Sequence, residues 1–178
     1  MKFIKILSSA CTLACLILLN AAFAQTDGNG QTKKIIFQLE NNALVLPSAI
    51  KFKPDTDELL PESIPALEYA AAYLKEKNYI SLMRIEGHLS DMSGEEEMLN
   101  LSQKRALAVA NWLITHGIDC NRLIAVGFAN KKPIVNNSAS DEKNQNERIS
   151  FVNAGLRGRP IGGMPIDGGG AVAKTPCR

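Results

Sequence analysis

Apolar positions recur at helical spacing in two stretches of the chain. After Ser63, a pattern with Pro65 in the first turn predicts a helix, since proline is well tolerated there. The predicted inner face of this helix consists of Ile64, Leu67, Ala71 and Leu74. The second stretch runs from about residue 95 to residue 115 and predicts the longest helix. It ends at His116 and Gly117, because glycine commonly ends helices.

Runs of apolar and β-branched residues before and between these helices, and after the second one, predict β-strands. The runs are residues 35–37, 44–52, 79–86, 123–128 and 149–152. Strands that alternate with helices along a chain favour an α/β architecture. We therefore predict an α/β fold of the α+β sandwich kind, in the order βαβαβ-β, with helices packed on a small mixed sheet within residues 43–154.

The two ends of the chain differ in composition from this middle part. Residues 1–24 hold Lys2, Lys5, a short apolar run and then small residues up to Ala24, which is the pattern of a secretory signal cleaved after Ala24. The apolar run is short for a membrane span, although an uncleaved anchor is the alternative. Residues 25–42 are predicted to be a polar lead-in with a possible first strand. Residues 155–178, rich in glycine and proline, are predicted to be a flexible tail.

The cysteines bear on lipid attachment and on a disulfide. Cys11 and Cys15 lie inside the apolar run, and Cys11 lacks the usual leucine three positions before it, so we expect export without lipid attachment. Cleavage after Ala24 would leave Cys120 and Cys177 in the mature chain. In an oxidising compartment such a pair suggests a disulfide, and two free thiols or mixed pairing are the alternative.

Charge and ligand counts exclude several classes of function. The chain has 20 Lys and Arg residues against 18 Asp and Glu residues, and the excess lies in the predicted signal. A neutral mature chain is a poor candidate for sequence-independent nucleic-acid binding or for electrostatic attachment to an anionic membrane. With His88 and His116 as the only histidines and no CxxC pair, a zinc site lacks ligands. We expect no metal, no cofactor and, after signal cleavage, no integral membrane segment.

Arg105 interrupts an apolar stripe of the second predicted helix. Leu101, Val109 and Leu113 lie at four-residue steps on either side of it. Removing the partner of a buried charge costs on the order of 3–5 kcal/mol, so a guanidinium at this position needs a carboxylate. Either Asp91, in the loop of residues 87–94 that precedes the helix, or a ligand could supply that carboxylate.

Six short motifs occur in a fixed order along the chain. They are Ile50-Lys51-Phe52 before Leu60-Pro61-Glu62-Ser63, Gly87-His88-Leu89-Ser90-Asp91, Leu101-Ser102-Gln103-Lys104-Arg105-Ala106, Gly127-Phe128-Ala129 with Pro133, and Asn146-Glu147-Arg148-Ile149. Together they resemble the OmpA-like C-terminal domain, the peptidoglycan-associating module of Gram-negative envelopes. The resemblance covers about residues 44–153.

This resemblance implies a ligand and a set of binding residues. The family grips the zwitterionic end of diaminopimelate in the peptidoglycan stem, so Arg105 would bind the carboxylate through its planar fork. Asp91 would bind the ammonium, and backbone donors of the loop that begins at Ser90 would assist. His88 would orient that loop. Asn146 and Arg148 correspond to the final motif, near the same pocket.

Three positions depart from the family pattern. Asp91 lies 14 residues before Arg105, whereas about fifteen is typical of the family. Met98 stands where the family has a loop asparagine, and Glu147 replaces one arginine of the last motif.

The sequence therefore predicts a non-catalytic periplasmic module that binds peptidoglycan and helps to link the envelope, and possible outer-membrane or envelope proteins, to the cell wall. The alternative is a protein–protein interaction module on the same fold with a degenerate pocket. In that case Arg105 and Arg148 would form internal salt bridges with Asp91 or Glu147. We do not expect an enzyme, because no nucleophile–base pair has motif support.

Overall fold

The computed structural model places two α-helices on one face of a β-sheet. It describes residues 34–90, 94–135, 145–163, 165–174 and 177. The helices are α1 (Ile64–Glu76), which follows a 3-10 turn at Pro61–Ser63, and α2 (Glu95–Thr115), which is followed by a 3-10 turn at Cys120–Arg122. The described residues form the strands β1 (Leu39–Glu40), β2 (Ala43–Leu44), β3 (Ile80–His88), β4 (Leu123–Ala129), β5 (Arg148–Leu156), β6 (Arg159–Pro160) and β7 (Ala171–Val172).

The long strands form the centre of the sheet. The order across it is β1-β2-β5-β3-β4-β7, and β6 pairs with β5. Strands β3 and β4 are parallel, as expected when a helix, here α2, makes the crossover between them. Strand β5 runs antiparallel to β3 on its other side, with Arg148 opposite His88. The end of β3 therefore lies between the end of β4 and the start of β5.

The sheet face under the helices is the main apolar core. Met83 and Ile85 of β3 and Phe151 of β5 are fully buried there. The helices contribute Leu67, Ala70, Ala71 and Leu74 from α1 and Ala106, Val109, Ala110 and Leu113 from α2. Burying an aliphatic or aromatic side chain of this size contributes about 1.5–3 kcal/mol, so this face supplies most of the apolar stabilisation.

The predicted fold class is confirmed, since two helices pack on a mixed sheet. The prediction is best for α2, which begins at Glu95 and ends at Thr115. Three acidic residues in its first turn interact favourably with the helix dipole. Gly117, with φ of 88°, directly follows its C-cap in the left-handed conformation that commonly ends helices.

Two of the predicted strands are wrong. Residues 35–37 are not in a strand, and β1 begins only at Leu39. The run predicted at residues 44–52 pairs with the sheet only at its first residue. Pro47, which has no amide hydrogen, follows closely. Further on, Lys51 and Lys53 hydrogen-bond to residues 58–60, so that this segment forms a small hairpin of its own.

The predicted flexible tail from residue 155 is also wrong for the part that the structure describes. Strand β5 continues to Leu156, and β7 pairs with the outer edge of β4. Ala173 is buried and donates its amide hydrogen to the carbonyl of Ala125. Cys177 is bonded to Cys120, with an S–S distance of 2.08 Å. Composition alone indicated a flexible segment, but backbone pairing and a crosslink offset the entropy that is lost when this segment is ordered.

Candidate functional site

Two glycines bring α2 close to the ends of β3 and β4. A Cβ atom on Gly87 would lie 2.1 Å from the carbonyl oxygen of Ser102, and one on Gly127 would lie 2.5 Å from its Oγ. Ser102 Oγ accepts a hydrogen bond from the amide of Ala129 at 3.2 Å. The first half of α2 is thereby fixed against the strand ends, and Arg105 follows one turn later.

The Arg105 side chain is almost fully buried, with a relative exposure of 6% for the residue. Its Nε donates to the carbonyl oxygen of Thr56 at 2.8 Å, and its guanidinium lies 4.9 Å from the centre of the Phe52 ring. Its Nη1 donates to Oε1 of Glu147 in a short ion pair. The small hairpin before α1 and the start of β5 therefore meet at this arginine.

Asn146 and Arg148 hold the neighbouring loop. Asn146 Oδ1 accepts from the amides of Ile134 and Val135 at 2.7 and 3.2 Å, and its Nδ2 donates to the Val135 carbonyl at 2.8 Å. Arg148 donates to the carbonyls of Asn146 and Lys132, both at 3.2 Å. Both side chains thus position the backbone that lies beside Glu147.

A charged cluster lies on the other face of β3. The buried carboxylate of Glu86 accepts from Nε of Arg84 at 2.7 Å and lies 3.2 Å from Nε2 of His88. Nζ of Lys132 lies 3.8 Å from the same carboxylate. The His88 ring stacks on Phe128, and its Nδ1 makes no hydrogen bond to any residue that the structure describes.

The cluster fixes the protonation states of its members. Burial alone would raise the pKa of Glu86, but hydrogen bonds from His88 and Arg84 and the charges of Arg84 and Lys132 lower it to about 2. Burial lowers the pKa of His88, and the charges of Arg148 and Lys132 act in the same direction, against the opposing effect of Glu86. His88 is therefore neutral at pH 7, with Nε2 as the donor to Glu86.

The comparisons with known proteins agree with one another. The sequence matches the OmpA family over residues 51–147. The chain belongs to the OmpA family. It is 32% identical over 113 residues to a protein of Escherichia coli K12 named "Probable lipoprotein YiaD", a match that covers 64% of this chain and 51% of that one. It is 28% identical over 100 residues to the peptidoglycan-associated lipoprotein of Pseudomonas aeruginosa, covering 56% of this chain and 58% of that one.

A solved structure of the same family shares the fold. The peptidoglycan-associated lipoprotein from Burkholderia pseudomallei superposes with a TM-score of 0.51 at 26% identity, covering 58% of this chain and 86% of that one. The chain spans a little over half the length of the two curated OmpA-family relatives named above. What is shared is therefore the OmpA-like domain.

The structure brings together several of the residues predicted for the OmpA-like site, and Arg105 pairs with Glu147, one of the carboxylates that the sequence left open. Arg105 lies beside the segment of Asn146 and Arg148, and Arg148 lies opposite His88 in the sheet. Asp91 lies outside the described residues, and Ser90, which is half-buried, directly precedes that gap. The carboxylate on Arg105 is that of Glu147. The roles of these residues in ligand binding stay predictions.

Two parts of this region were not predicted from the sequence. One is the contribution of Thr56 and Phe52 to Arg105, which no local pattern indicates because they lie 49 and 53 positions earlier. The other is the cluster of Glu86, for which a signal did exist. Arg84, Glu86 and His88 alternate with Met83, Ile85 and Gly87, and a period of two places them on one face of a strand.

Within the described residues, no group of three or more His, Cys, Asp or Glu side chains is arranged to hold a metal ion. Nor is any described helix long and apolar enough to cross a membrane.

Proposed function

We propose that this chain is a non-catalytic peptidoglycan-binding module of the cell envelope, which captures the diaminopimelate end of a stem peptide. The observation that carries the proposal is the setting of Arg105. The carbonyl of Thr56 accepts from its Nε and the Phe52 ring centre lies 4.9 Å from its guanidinium carbon, so the guanidinium has little rotamer freedom left to lose on binding. A pre-oriented, desolvated arginine is well suited to bind a carboxylate through two parallel hydrogen bonds.

The remaining parts of the ligand would be bound by the loop before α2. Asp91 supplies the carboxylate for the ligand ammonium, and backbone donors of the loop that begins at Ser90 assist. Asn146 and Arg148 act as positioning residues, since their side chains hold the backbone of residues 132–135 and 146. His88 is neutral and buried, and it acts through its bond to Glu86 at the end of β3 rather than by proton transfer.

The names of the relatives support an envelope location. Two of the relatives described above are peptidoglycan-associated lipoproteins and a third is named a probable lipoprotein. We propose that this chain acts in the periplasm after cleavage behind Ala24, without lipid attachment, and that it links outer-membrane or other envelope proteins to the wall.

Sedimentation with purified diaminopimelate-type sacculi tests the proposal. We expect the wild-type chain and the exposed control Arg159→Ala to pellet, and Arg105→Ala to remain in the supernatant. Arg105→Lys should pellet weakly, because lysine keeps the charge but loses the planar fork. The proposal is wrong if the wild type does not pellet, or if folded Arg105→Ala pellets as well as the wild type does.

One observation favours a second candidate, an envelope protein–protein interaction module. The guanidinium of Arg105 is already neutralised by Glu147 within the chain. On this alternative the Arg105–Glu147 salt bridge is only structural. In-cell cross-linking would then show protein partners, while sacculi would not retain the chain. Release of peptide or glycan fragments from sacculi would instead indicate an enzyme.

A further inference from the structure

Arg105 has two kinds of contact, which differ in how freely they can change. Thr56 accepts the hydrogen bond from Arg105 through its backbone carbonyl, and Phe52, whose ring lies near the guanidinium, belongs to the same hairpin. Both are fixed by the backbone pairing of residues 51–53 with residues 58–60. The contact with Glu147 is different, because it is made by a side chain that is 45% exposed.

The position of the Glu147 carboxylate is chemically that of a ligand. It sits on Nη1 of a guanidinium whose Nε is already bound to Thr56, so it is the exchangeable member of the pair. Glu147 also lies between Asn146 and Arg148, whose hydrogen bonds fix the backbone on both sides of it. Its backbone is therefore held while its side chain has access to solvent.

We infer that Glu147 is an internal competitor at the binding site. On the proposed function, on which this inference rests, a stem peptide binds by exchanging its own carboxylate for that of Glu147 on Arg105. Thr56 and Phe52 keep the guanidinium in place during the exchange. Glu147 thus sets the affinity of the module, and it lowers that affinity below what Arg105 alone would give.

The competitor keeps the empty site stable. Without Glu147, the buried charge of Arg105 would have no carboxylate among the residues that the structure describes, which disfavours the ligand-free fold. A residue that only supports the structure would lower both stability and ligand affinity when it is replaced. Replacing a competitor lowers stability but raises ligand affinity, and this opposite pair of changes identifies it.

Titration of the purified mature protein with the stem tripeptide L-Ala-γ-D-Glu-meso-diaminopimelate tests this inference. We expect Glu147→Gln to bind about twofold to fivefold more tightly than the wild type, because loss of a partly exposed ion pair removes the competition. The same variant should unfold at a lower temperature without ligand. Glu95→Gln is the matched control, since it removes a charge of the same sign near the start of α2 that pairs with Lys131 rather than Arg105. It should leave the affinity unchanged.

The outcomes separate this inference from the proposed function. The competitor is supported if Glu147→Gln and Glu147→Ala bind more tightly than the wild type and this binding is abolished when Arg105→Ala is added. Binding by these variants where the wild type shows none supports it too. If the wild type binds and folded Glu147→Gln binds equally or less tightly, the competitor is refuted and the proposed function stands. If neither the wild type nor either Glu147 variant binds, both are refuted.

Discussion

Glu86 is the most strongly constrained carboxylate of the described residues. It is buried, and its two oxygens are shared among Arg84, His88 and the more distant Lys132. Arg84 is bound in turn to the carbonyl of Ile166. The cluster therefore links the centre of the sheet to the segment that follows β6.

Replacing Glu86 by glutamine should be strongly destabilising. The change leaves the buried guanidinium of Arg84 without its carboxylate, and breaking a buried pair in this way costs about 3–5 kcal/mol. We expect a loss at the lower end of this range, about 3 kcal/mol, because Arg84 keeps its hydrogen bond to the Ile166 carbonyl. Urea unfolding measures the difference. Glu76→Gln, which affects a partly exposed pair with Lys77, should change the free energy of unfolding by less than about 1 kcal/mol.

The stability of the fold should decrease in acid in two steps. His88 has a lowered pKa in the fold, so its contribution is complete above about 6.5, its ordinary pKa, and is lost as the pH falls below that value. Glu86 also has a lowered pKa, so its contribution is complete above 4.5 and is lost as the pH falls towards about 2. Urea midpoints from pH 8 to pH 3 test this. The decrease in stability between pH 7 and pH 5 should be absent in His88→Gln. If that variant still loses stability in this range, another group is responsible.

At the scale of residues, the sequence singled out Arg105 as a charge on an apolar stripe but not the side chains that contact it. Arg105 stands out in the sequence as a single arginine on an apolar stripe, because a buried charge needs a partner. The carboxylate that satisfies it is 42 positions away, and the sequence left Asp91, Glu147 and a ligand as candidates. Periodicity fixes which face a residue occupies but not which distant side chain meets it.

The contact between α2 and β3 depends on the absence of one side chain. Gly87 lies directly under the backbone of Ser102, and a Cβ there would be 2.1 Å from a carbonyl oxygen. Neither the helix nor the central strand can move away without disturbing the main core.

Gly87→Ala should therefore destabilise the fold by about 3 kcal/mol or more, at or above the upper end for overpacking. Chemical denaturation measures this, and loss of sacculus binding should accompany it because Arg105 follows on the same helix. Gly158→Ala is the control. Its φ of 77° makes alanine strained by about 1–2 kcal/mol, but no atom lies within 4 Å of the new methyl group. If the two variants lost equal amounts of unfolding free energy, the steric explanation for Gly87 would be refuted.

At the scale of elements, the helices and the central strands were predictable, but the edges of the sheet were not. The 21 residues of α2 repeat the helical period many times and have clear ends. The short strands β1, β2, β6 and β7 at the two sides of the sheet have two residues each, too few to show a period. They are strands because a neighbouring strand offers hydrogen bonds, which is tertiary information.

Over the whole molecule, the segment after β6 acts as a strap across the sheet, where strap denotes the described residues from Ile161 to Cys177. Gln103 of α2 donates to the carbonyls of Ala171 and Val172, and the disulfide joins the end of the strap to Cys120. A Cβ on Gly170 would lie 2.5 Å from the side chain of Val126, so the strap lies close against β4.

Removing the crosslink by Cys177→Ser should destabilise the protein by about 2–4 kcal/mol, because it closes a loop of 57 residues in the unfolded chain. Hydrogen exchange should also become faster at the amide of Ala173, which pairs with Ala125. Wild-type protein treated with a reductant is the matched comparison and should behave as the variant does. Unchanged stability in both would show that backbone pairing alone holds the strap.

The central claim is that the chain recognises the zwitterionic end of diaminopimelate through Arg105. The most direct measurement compares retention of the wild-type chain on diaminopimelate-type sacculi with retention on sacculi whose stems carry lysine at that position. Lysine keeps the side-chain ammonium but lacks the terminal carboxylate that Arg105 would bind. The account predicts retention on the first type and loss of retention on the second, and equal retention on both would contradict it.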